Sequence, residues 1–354
     1  MKILHVIFSL NYGGSEVLLV DIINEQVKTD KVQLIIINGN YSRDLVNSIN
    51  RKADIHFINR SPGSKNLISI ISFNYAVFKI QPDIIHFHDQ NAISLLIYRG
   101  KAHACLTIHD VNKPIEHLKK YHLLFSISDA VNNNVFRRSK LQSTKVYNGI
   151  DFSKIIIKNN YEMNGTFRLV QVSRLHHEKK GQHLLLEALH YLIYKHGVSN
   201  FHIDFIGDGP SLSFLRDYSK KLNISSYVNF LGNTPRSAVY ANLHSYHLLV
   251  QPSIYEGFGL TVVEGIAAGV PVLVSNIDGP AEIVKDVLSG WTFEPGDIGS
   301  LAYNILRVME LYKSNKISQM CRSGLQQAMK KYSIQGTAMK YTENYRMLMA
   351  ATTE

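Results

Sequence analysis

The sequence predicts an α/β chain made of two consecutive doubly wound domains, and three observations carry that prediction. Short apolar runs at residues 32–37, 55–58, 84–87, 104–108 and 145–147 recur with helix-length segments between most of them, the alternation of a parallel sheet covered on both faces. The pattern restarts at residues 167–172, after a polar, Lys- and Asn-rich stretch over 153–165 that reads as a linker. At 354 residues the chain is long for one core and suits two domains of ordinary size. A first domain over 1–152, a second from 153 and a cleft between them are therefore expected.

Composition narrows the class. No run of about 18 uninterrupted apolar residues exists, so a spanning helix is not expected, and the start MKILHVIFSL is too short and too strand-like for a signal peptide. Only Cys105 and Cys321 are present, which fits a reducing compartment and offers no Cys cluster for zinc; a cytoplasmic protein is expected. Net charge is +10, and residues 1–150 hold 18 Lys/Arg against 11 Asp/Glu, a balance of 18 − 11 = +7. Such a surface, with pairs such as Lys119-Lys120 and Arg137-Arg138, can meet an anionic membrane face or a phosphorylated acceptor. Nucleic acid is not expected, because the basic residues are dispersed among helical segments and are not gathered with aromatics.

Taken in order, residues 2–8 form a buried strand, and Asn11-Tyr12-Gly13-Gly14-Ser15-Glu16 turns into an apolar-periodic helix over 17–27. Ser15 is the expected helix cap, and Gly13-Gly14 lets the backbone approach a ligand group, although a plain tight turn explains the same residues. Ligands of parallel sheets collect beyond the carboxyl ends of the strands, which draws attention to His86, His88 and Asp89 after one strand and to His109 and Asp110 after the next. Period-two alternation puts His86 and His88 on one face, but no third ligand stands at suitable spacing, so a metal is not expected there.

In the second half, Ser173-Arg174-Leu175-His176-His177-Glu178-Lys179-Lys180-Gly181 joins a strand to a helix ending near Lys195. Arg174 and Lys180 would be two fixed cations for a pyrophosphate; Lys179 competes for the role, and adjacency to Gly181 favours Lys180. Strands follow at 201–206, 227–231 and 272–274, and residues 298–311 carry helical spacing. The stretch 248–284 holds the most chemistry. An apolar run, Pro252, the turn Glu256-Gly257-Phe258-Gly259 and a helix through Leu260, Thr261 and Glu264 follow the order of an anion site, where glycines and unpaired helix N–H groups receive a phosphate. Carboxylates repel phosphate but accept vicinal hydroxyls, so Glu256 suits a sugar and Glu264 a ribose on either side of the diphosphate. Together they describe a nucleotide sugar.

Glu256-x7-Glu264 within YEGFGLTVVEGIAAGVPVLVS, followed by Gly279-Pro280-Ala281-Glu282-Ile283-Val284, resembles the signature of glycosyltransferase family 4, retaining enzymes with the GT-B fold of two Rossmann-like domains. The resemblance implies that residues from about 336 to 354 cross back to the first, acceptor-binding domain as a C-terminal helix, which limits the second, nucleotide-sugar-binding domain to 153–335. It further implies a nucleoside-diphosphate sugar donor, a glycan or lipid-linked acceptor, retention, and a front-face mechanism in which the leaving phosphate takes the acceptor proton. By the same resemblance Gly14 lies near the donor phosphates, Gly13, His88 and His109 face the acceptor, Asn148-Gly149-Ile150-Asp151 closes the first domain and Gly232-Asn233 lies by the base. Glu256 and His109 are the expected catalytic pair. No DxD-like aspartate pair occurs at a strand end, so a metal-independent enzyme without cofactor is expected. The expectation is a UDP-sugar-dependent transferase of bacterial cell-surface polysaccharide or lipopolysaccharide synthesis, peripheral on the inner face of the membrane. A GT-B nucleotide-sugar epimerase and a non-catalytic glycan- or lipid-binding protein are the alternatives.

Overall fold

In the computed structural model, which describes residues 1–64, 66–163, 165–314 and 316–351, the strands among the described residues form two parallel sheets. The sheets lie in separate units, Met1–Ile150 together with the segment from Tyr332 onward, and Asp151–Lys331.

The first unit contains β1 (Lys2–Ile7), β2 (Lys31–Asn38), β3 (Asp54–Arg60), β4 (Ile84–Phe87), β5 (His103–Ile108), β6 (Leu123–Ser126) and β7 (Thr144–Lys145), in the order β3-β2-β1-β4-β5-β6-β7. The central strands are buried on both faces, which is why β2 reads as the near-continuous run KVQLIIIN with every residue after Lys31 buried. Strand order reverses between β1 and β4, where His5 is in register with His86. The C-terminal helix Ile334–Ala350 belongs to this unit, started by the Ser333 side chain, which accepts from the Gly336 N–H. It packs along the helix Gly14–Gln26 and sends the fully buried rings of Tyr341 and Tyr345 against Phe125, at centroid distances of 4.8 and 6.0 Å.

Two local expectations need correction. The helix Gly14–Gln26 starts at Gly13 with no side-chain cap, because the Ser15 hydroxyl donates instead to the Glu16 carboxylate at 2.7 Å. The strand expected over 145–147 is the two-residue β7, and Tyr147 stacks edge-on against Tyr332 at 5.3 Å.

The second unit contains β8 (Phe167–Val172), β9 (Phe201–Ile206), β10 (Val228–Gly232), β11 (Leu248–Gln251), β12 (Val272–Ser275) and β13 (Trp291–Phe293), in the order β10-β9-β8-β11-β12-β13, again all parallel. The helices Gln182–His196 and Ile298–Lys313 contact each other and bury Leu185, Leu189, Leu192, Leu301, Ile305 and Val308 in one core cluster with the sheet. Burying each such side chain contributes about 1.5–3 kcal/mol. The polar stretch read as a linker is part of this packing. Lys158 is buried, its ammonium donates to the carbonyls of His244 and Tyr246 at 3.1 and 3.0 Å, and burial pulls its pKa down to about 8. Tyr161 donates to the Gly269 carbonyl at 2.8 Å. Asn164, within the same stretch, lies outside the described residues.

Candidate functional site

In both sheets most of the residues singled out by sequence lie beyond the carboxyl ends of the strands, at or beside the pair where the order reverses, the position at which loops diverge and leave a crevice in doubly wound sheets. In the second unit that pair is β8 and β11. The loop after β8 carries Arg174, the short helix His177–Lys180 and then Gly181, while the loop after β11 carries Glu256 to Gly259.

Gly181 sets the spacing of the two loops. It has φ +66° and serves as the start of the helix Gln182–His196; a β-carbon there would meet the Pro252 carbonyl oxygen at 1.8 Å. The close approach is locked by the Ile254 N–H donating to the Lys179 carbonyl at 2.8 Å and by the Gln171 amide donating to the Lys180 carbonyl at 2.9 Å. Lys180 is thereby pressed onto Glu256. Its ammonium lies 2.6 Å from Glu256 Oε2, and both side chains are only 16% exposed. The Ser253 hydroxyl at 3.0 Å and the Gln251 amide at 3.4 Å donate to the same oxygen. Lys179 turns elsewhere, with its ammonium 4.6 Å from the Tyr255 ring centroid. Arg174 is exposed, and among the described residues its guanidinium makes no hydrogen bond or ion pair.

Beyond Glu256 the chain turns at Gly259, whose φ of +103° only glycine adopts readily, into the helix Leu260–Ala267. That helix has no side-chain cap, so the amides of Leu260 and Thr261 carry its positive end. Phe258 is buried beneath the turn. Glu264, in the second turn, is 8% exposed and accepts from the Tyr240 hydroxyl at 2.8 Å, with Arg236 Nε 3.7 Å from the same oxygen. Arg236 also donates to the Tyr240 oxygen at 2.6 Å and lies 4.8 Å from that ring. The Tyr240 phenol is pushed up by burial and by the Glu264 charge, so it stays a donor. Sequence reasoning missed Arg236 and Tyr240 because no local motif marks them; they sit on the helix Arg236–Asn242, which follows the Gly232-Asn233 turn.

In the first unit the switch strands are β1 and β4. Gly13 ends the loop after β1 and Gly14, exposed, begins the helix Gly14–Gln26; His88 follows β4 and His109 follows β5. The third histidine not evident from spacing comes from β1 itself. His5, His86 and His88 hold ring nitrogens within 4.8 Å of one another. All six of those nitrogens already have partners. His5 pairs with Gln26 Oε1 at 2.8 Å and His88 at 3.0 Å, His86 with Thr107 at 2.7 Å and with the Tyr345 hydroxyl, and His88 also with His109 at 3.4 Å. A cation would have to break these bonds, so the cluster fits a hydrogen-bond chain better than a metal centre.

Burial keeps the chain neutral: His5 and His109 are pulled down to about 4, and His86 and His88 well below the ordinary value, mainly by desolvation. Neutral rings fix one another's tautomers. Gln26 Oε1 can only accept, so His5 donates through Nε2 and accepts at Nδ1; His88 then donates through Nε2 and accepts at Nδ1 from His109 Nε2. What remains is the His109 Nδ1 lone pair, buried and without a partner. It is a ready acceptor for a hydroxyl.

Residues 153–324 match the family model described as Glycosyl transferases group 1. A glycogen synthase from Mycobacterium tuberculosis is 30% identical over 190 residues, 53% of this chain and 45% of that protein. A lipopolysaccharide 1,6-galactosyltransferase from Escherichia coli K12 is 27% identical over 183 residues, covering 50% of this chain and 49% of the relative. The chain thus spans about half the length of the curated relatives it matches. The solved structure of Anabaena Alr3699/HepE in complex with UDP and glucose superimposes with a TM-score of 0.78 at 20% identity, over 97% of this chain and 99% of the other. At that identity the likeness speaks for the fold, an α/β chain of the GT-B kind.

Proposed function

We propose, from the match of residues 153–324 to the Glycosyl transferases group 1 model, that the protein is a retaining glycosyltransferase that moves a hexose or related sugar from a UDP-sugar to a hydroxyl of a glycan or lipid-linked acceptor in bacterial cell-surface polysaccharide or lipopolysaccharide synthesis. One observation carries the reading. At the β8/β11 switch a partnerless arginine, the Lys180–Glu256 pair, an uncapped helix start at Leu260 and Thr261 and the buried Glu264 lie on adjoining loops of one sheet.

Those groups suit the parts of a nucleotide sugar in turn. Arg174, Lys180 and the Leu260 and Thr261 amides offer positive charge to the diphosphate, and they stabilise it as it leaves with the glycosidic electron pair. No metal is assigned a part. Glu264, held at one oxygen by Tyr240, accepts from a ribose hydroxyl. Glu256, already neutralised through Oε2, orients sugar hydroxyls through its carboxylate and favours the ring as it gains oxocarbenium character. In the first unit, the bare Nδ1 of His109 accepts from a substrate hydroxyl, and the amides around Gly13 and Gly14 offer further donors to donor phosphate or acceptor. The leaving phosphate takes the acceptor proton. The named relatives, which make glycogen and lipopolysaccharide linkages, support the reading at the level of reaction class.

The test is incubation with a panel of nucleotide sugars and candidate glycan and lipid-linked acceptors while free nucleoside diphosphate is measured. Release that depends on the acceptor is expected. Interconversion of the sugar nucleotide without transfer, or no nucleotide sugar bound at all, would overturn the proposal.

A further inference from the structure

The helix Leu67–Ile80 in the first unit buries only Phe73, Val77 and Ile80 and turns a second apolar face outward. On that outer face Leu67 is 70% exposed, Ile68 72%, Ile71 64%, Tyr75 58% and Phe78 49%. The positions 68, 71, 75 and 78 step by three or four and so form one stripe. Ile97 and Tyr98, 79% and 49% exposed, extend it. They are pinned alongside, because Asn74 accepts from the Ile97 and Tyr98 amides at 2.7 and 3.0 Å, and the Tyr98 ring packs edge-on against Phe78 at 5.7 Å. Seven large apolar side chains on two adjoining segments exceed the scattered apolar residues of an ordinary surface.

Charge says what covers them. Between Ser61 and His103 the only acidic residues are Asp83 and Asp89, and both carboxylates are held by backbone amides at the sheet, of Lys2 and Phe8. On the two segments themselves, the exposed charged side chains among the described residues are Lys79, Arg99 and Lys101. Lys79 reaches back over the Tyr75 ring at 5.5 Å, the posture of a cation held at the boundary between apolar and aqueous surroundings. A second copy of this chain, docked stripe to stripe, would crowd three cations against three. A fluid surface that is apolar inside and anionic outside matches both features, with tyrosines at the boundary where their rings are favoured.

We propose that the outer face of the helix Leu67–Ile80, with Ile97 and Tyr98, seats the protein in the headgroup layer of an anionic lipid membrane, the apolar side chains entering the acyl boundary and Lys79, Arg99 and Lys101 meeting lipid phosphates. The helix lies in the membrane surface and does not cross it; among the described residues no helix is long and apolar enough to span a bilayer. This attachment does not depend on the sugar-transfer reading.

The test is co-sedimentation of the full chain with vesicles of phosphatidylcholine alone or mixed with phosphatidylglycerol, at low and high salt. Wild type is expected on the mixed vesicles at least tenfold above the neutral ones, with the difference shrinking in high salt. Ile68→Glu and Ile71→Glu should each lower that partition tenfold or more while circular dichroism and UDP binding stay as in wild type. Both sites are exposed, so a folding defect is not the expected cause of loss. Equal partition onto both vesicles, or variants that bind as wild type does, would overturn the proposal. So would a wild-type dimer in sedimentation velocity that Ile68→Glu makes monomeric, since the stripe would then be a contact between copies.

Discussion

Replacing Lys180 with methionine keeps the apolar stem and removes the charge that the close approach at Gly181 presses onto Glu256. At 2.6 Å, two unit charges in an effective dielectric of about 20 attract by about 6 kcal/mol before desolvation and side-chain ordering are subtracted. What survives those costs at a site only 16% exposed on each side is of the order measured for hydrogen bonds to charged groups, about 1.5–3 kcal/mol. If the diphosphate draws on the same ammonium, Lys180→Met weakens UDP binding by about 10- to 150-fold. Glu256 retains the Ser253 and Gln251 donors, so the fold is expected to hold. Titration calorimetry with UDP on Lys180→Met, Glu256→Gln and the double variant is the assay. The single Lys180 change should lose affinity whether or not Glu256 is charged. A double variant that binds UDP as wild type does would show that Lys180 serves only to neutralise Glu256, and the phosphate assignment would fall.

Further outcomes follow from the same geometry. Glu256→Gln should lower kcat with modest change in UDP affinity, whereas Glu264→Gln and Tyr240→Phe should mainly raise the donor KM; the reversed pattern would exchange the sugar and ribose positions. Gly181→Ala places a β-carbon 1.8 Å from the Pro252 carbonyl at a φ that side chains avoid, and a loss of about 2–4 kcal/mol in urea unfolding is expected; a variant as stable as wild type would mean the two loops are free to separate. His5 and His109 have folded pKa values lowered to about 4, and burial holds those of His86 and His88 well below the ordinary value, so the unfolded chain takes protons that the native one refuses. Their contribution is complete above about pH 6.5 and is lost as pH falls toward about 4, by up to about 1.4 kcal/mol per unit for each ring. Asp89, raised by burial, works in the opposite direction as a single group. Urea midpoints by circular dichroism that stay flat from about pH 7 to about pH 5 would show that the folded rings take up protons as the unfolded chain does.

The sheets were legible because strands buried on both faces are written as continuous apolar runs and their loops as glycine turns, as at residues 32–37 and 256–259. The residues that complete the sites were less so. His5 is one imidazole in the run KILHVI, and only the register that sets it beside His86 gives it meaning. Arg236 and Tyr240 reach Glu264 from a helix 24 positions upstream, a distance that no spacing rule connects. In LISIISFNYAVFKI ten of fourteen positions are apolar, too many for one face, so the pattern does not say which side meets the core. The outward stripe therefore had no sequence signature, and the basic pairs at 119–120 and 137–138 lie on other segments of the first unit.

The C-terminal helix completes a unit whose sheet was made from the first 150 residues, with the 181 residues of Asp151–Lys331 (331 − 150) intervening. During synthesis that sheet leaves the ribosome long before Tyr341 and Tyr345 exist to close over His86 and Phe125. The nascent first unit waits with an imidazole-lined apolar flank open, while the second unit has all of its own strands and can fold in the interval. Maturation is then a matter of sequence separation as much as of stability: the unit begun first is finished last, and the contacts that finish it span more than two hundred residues, |i − j| being 259 for His86 and Tyr345.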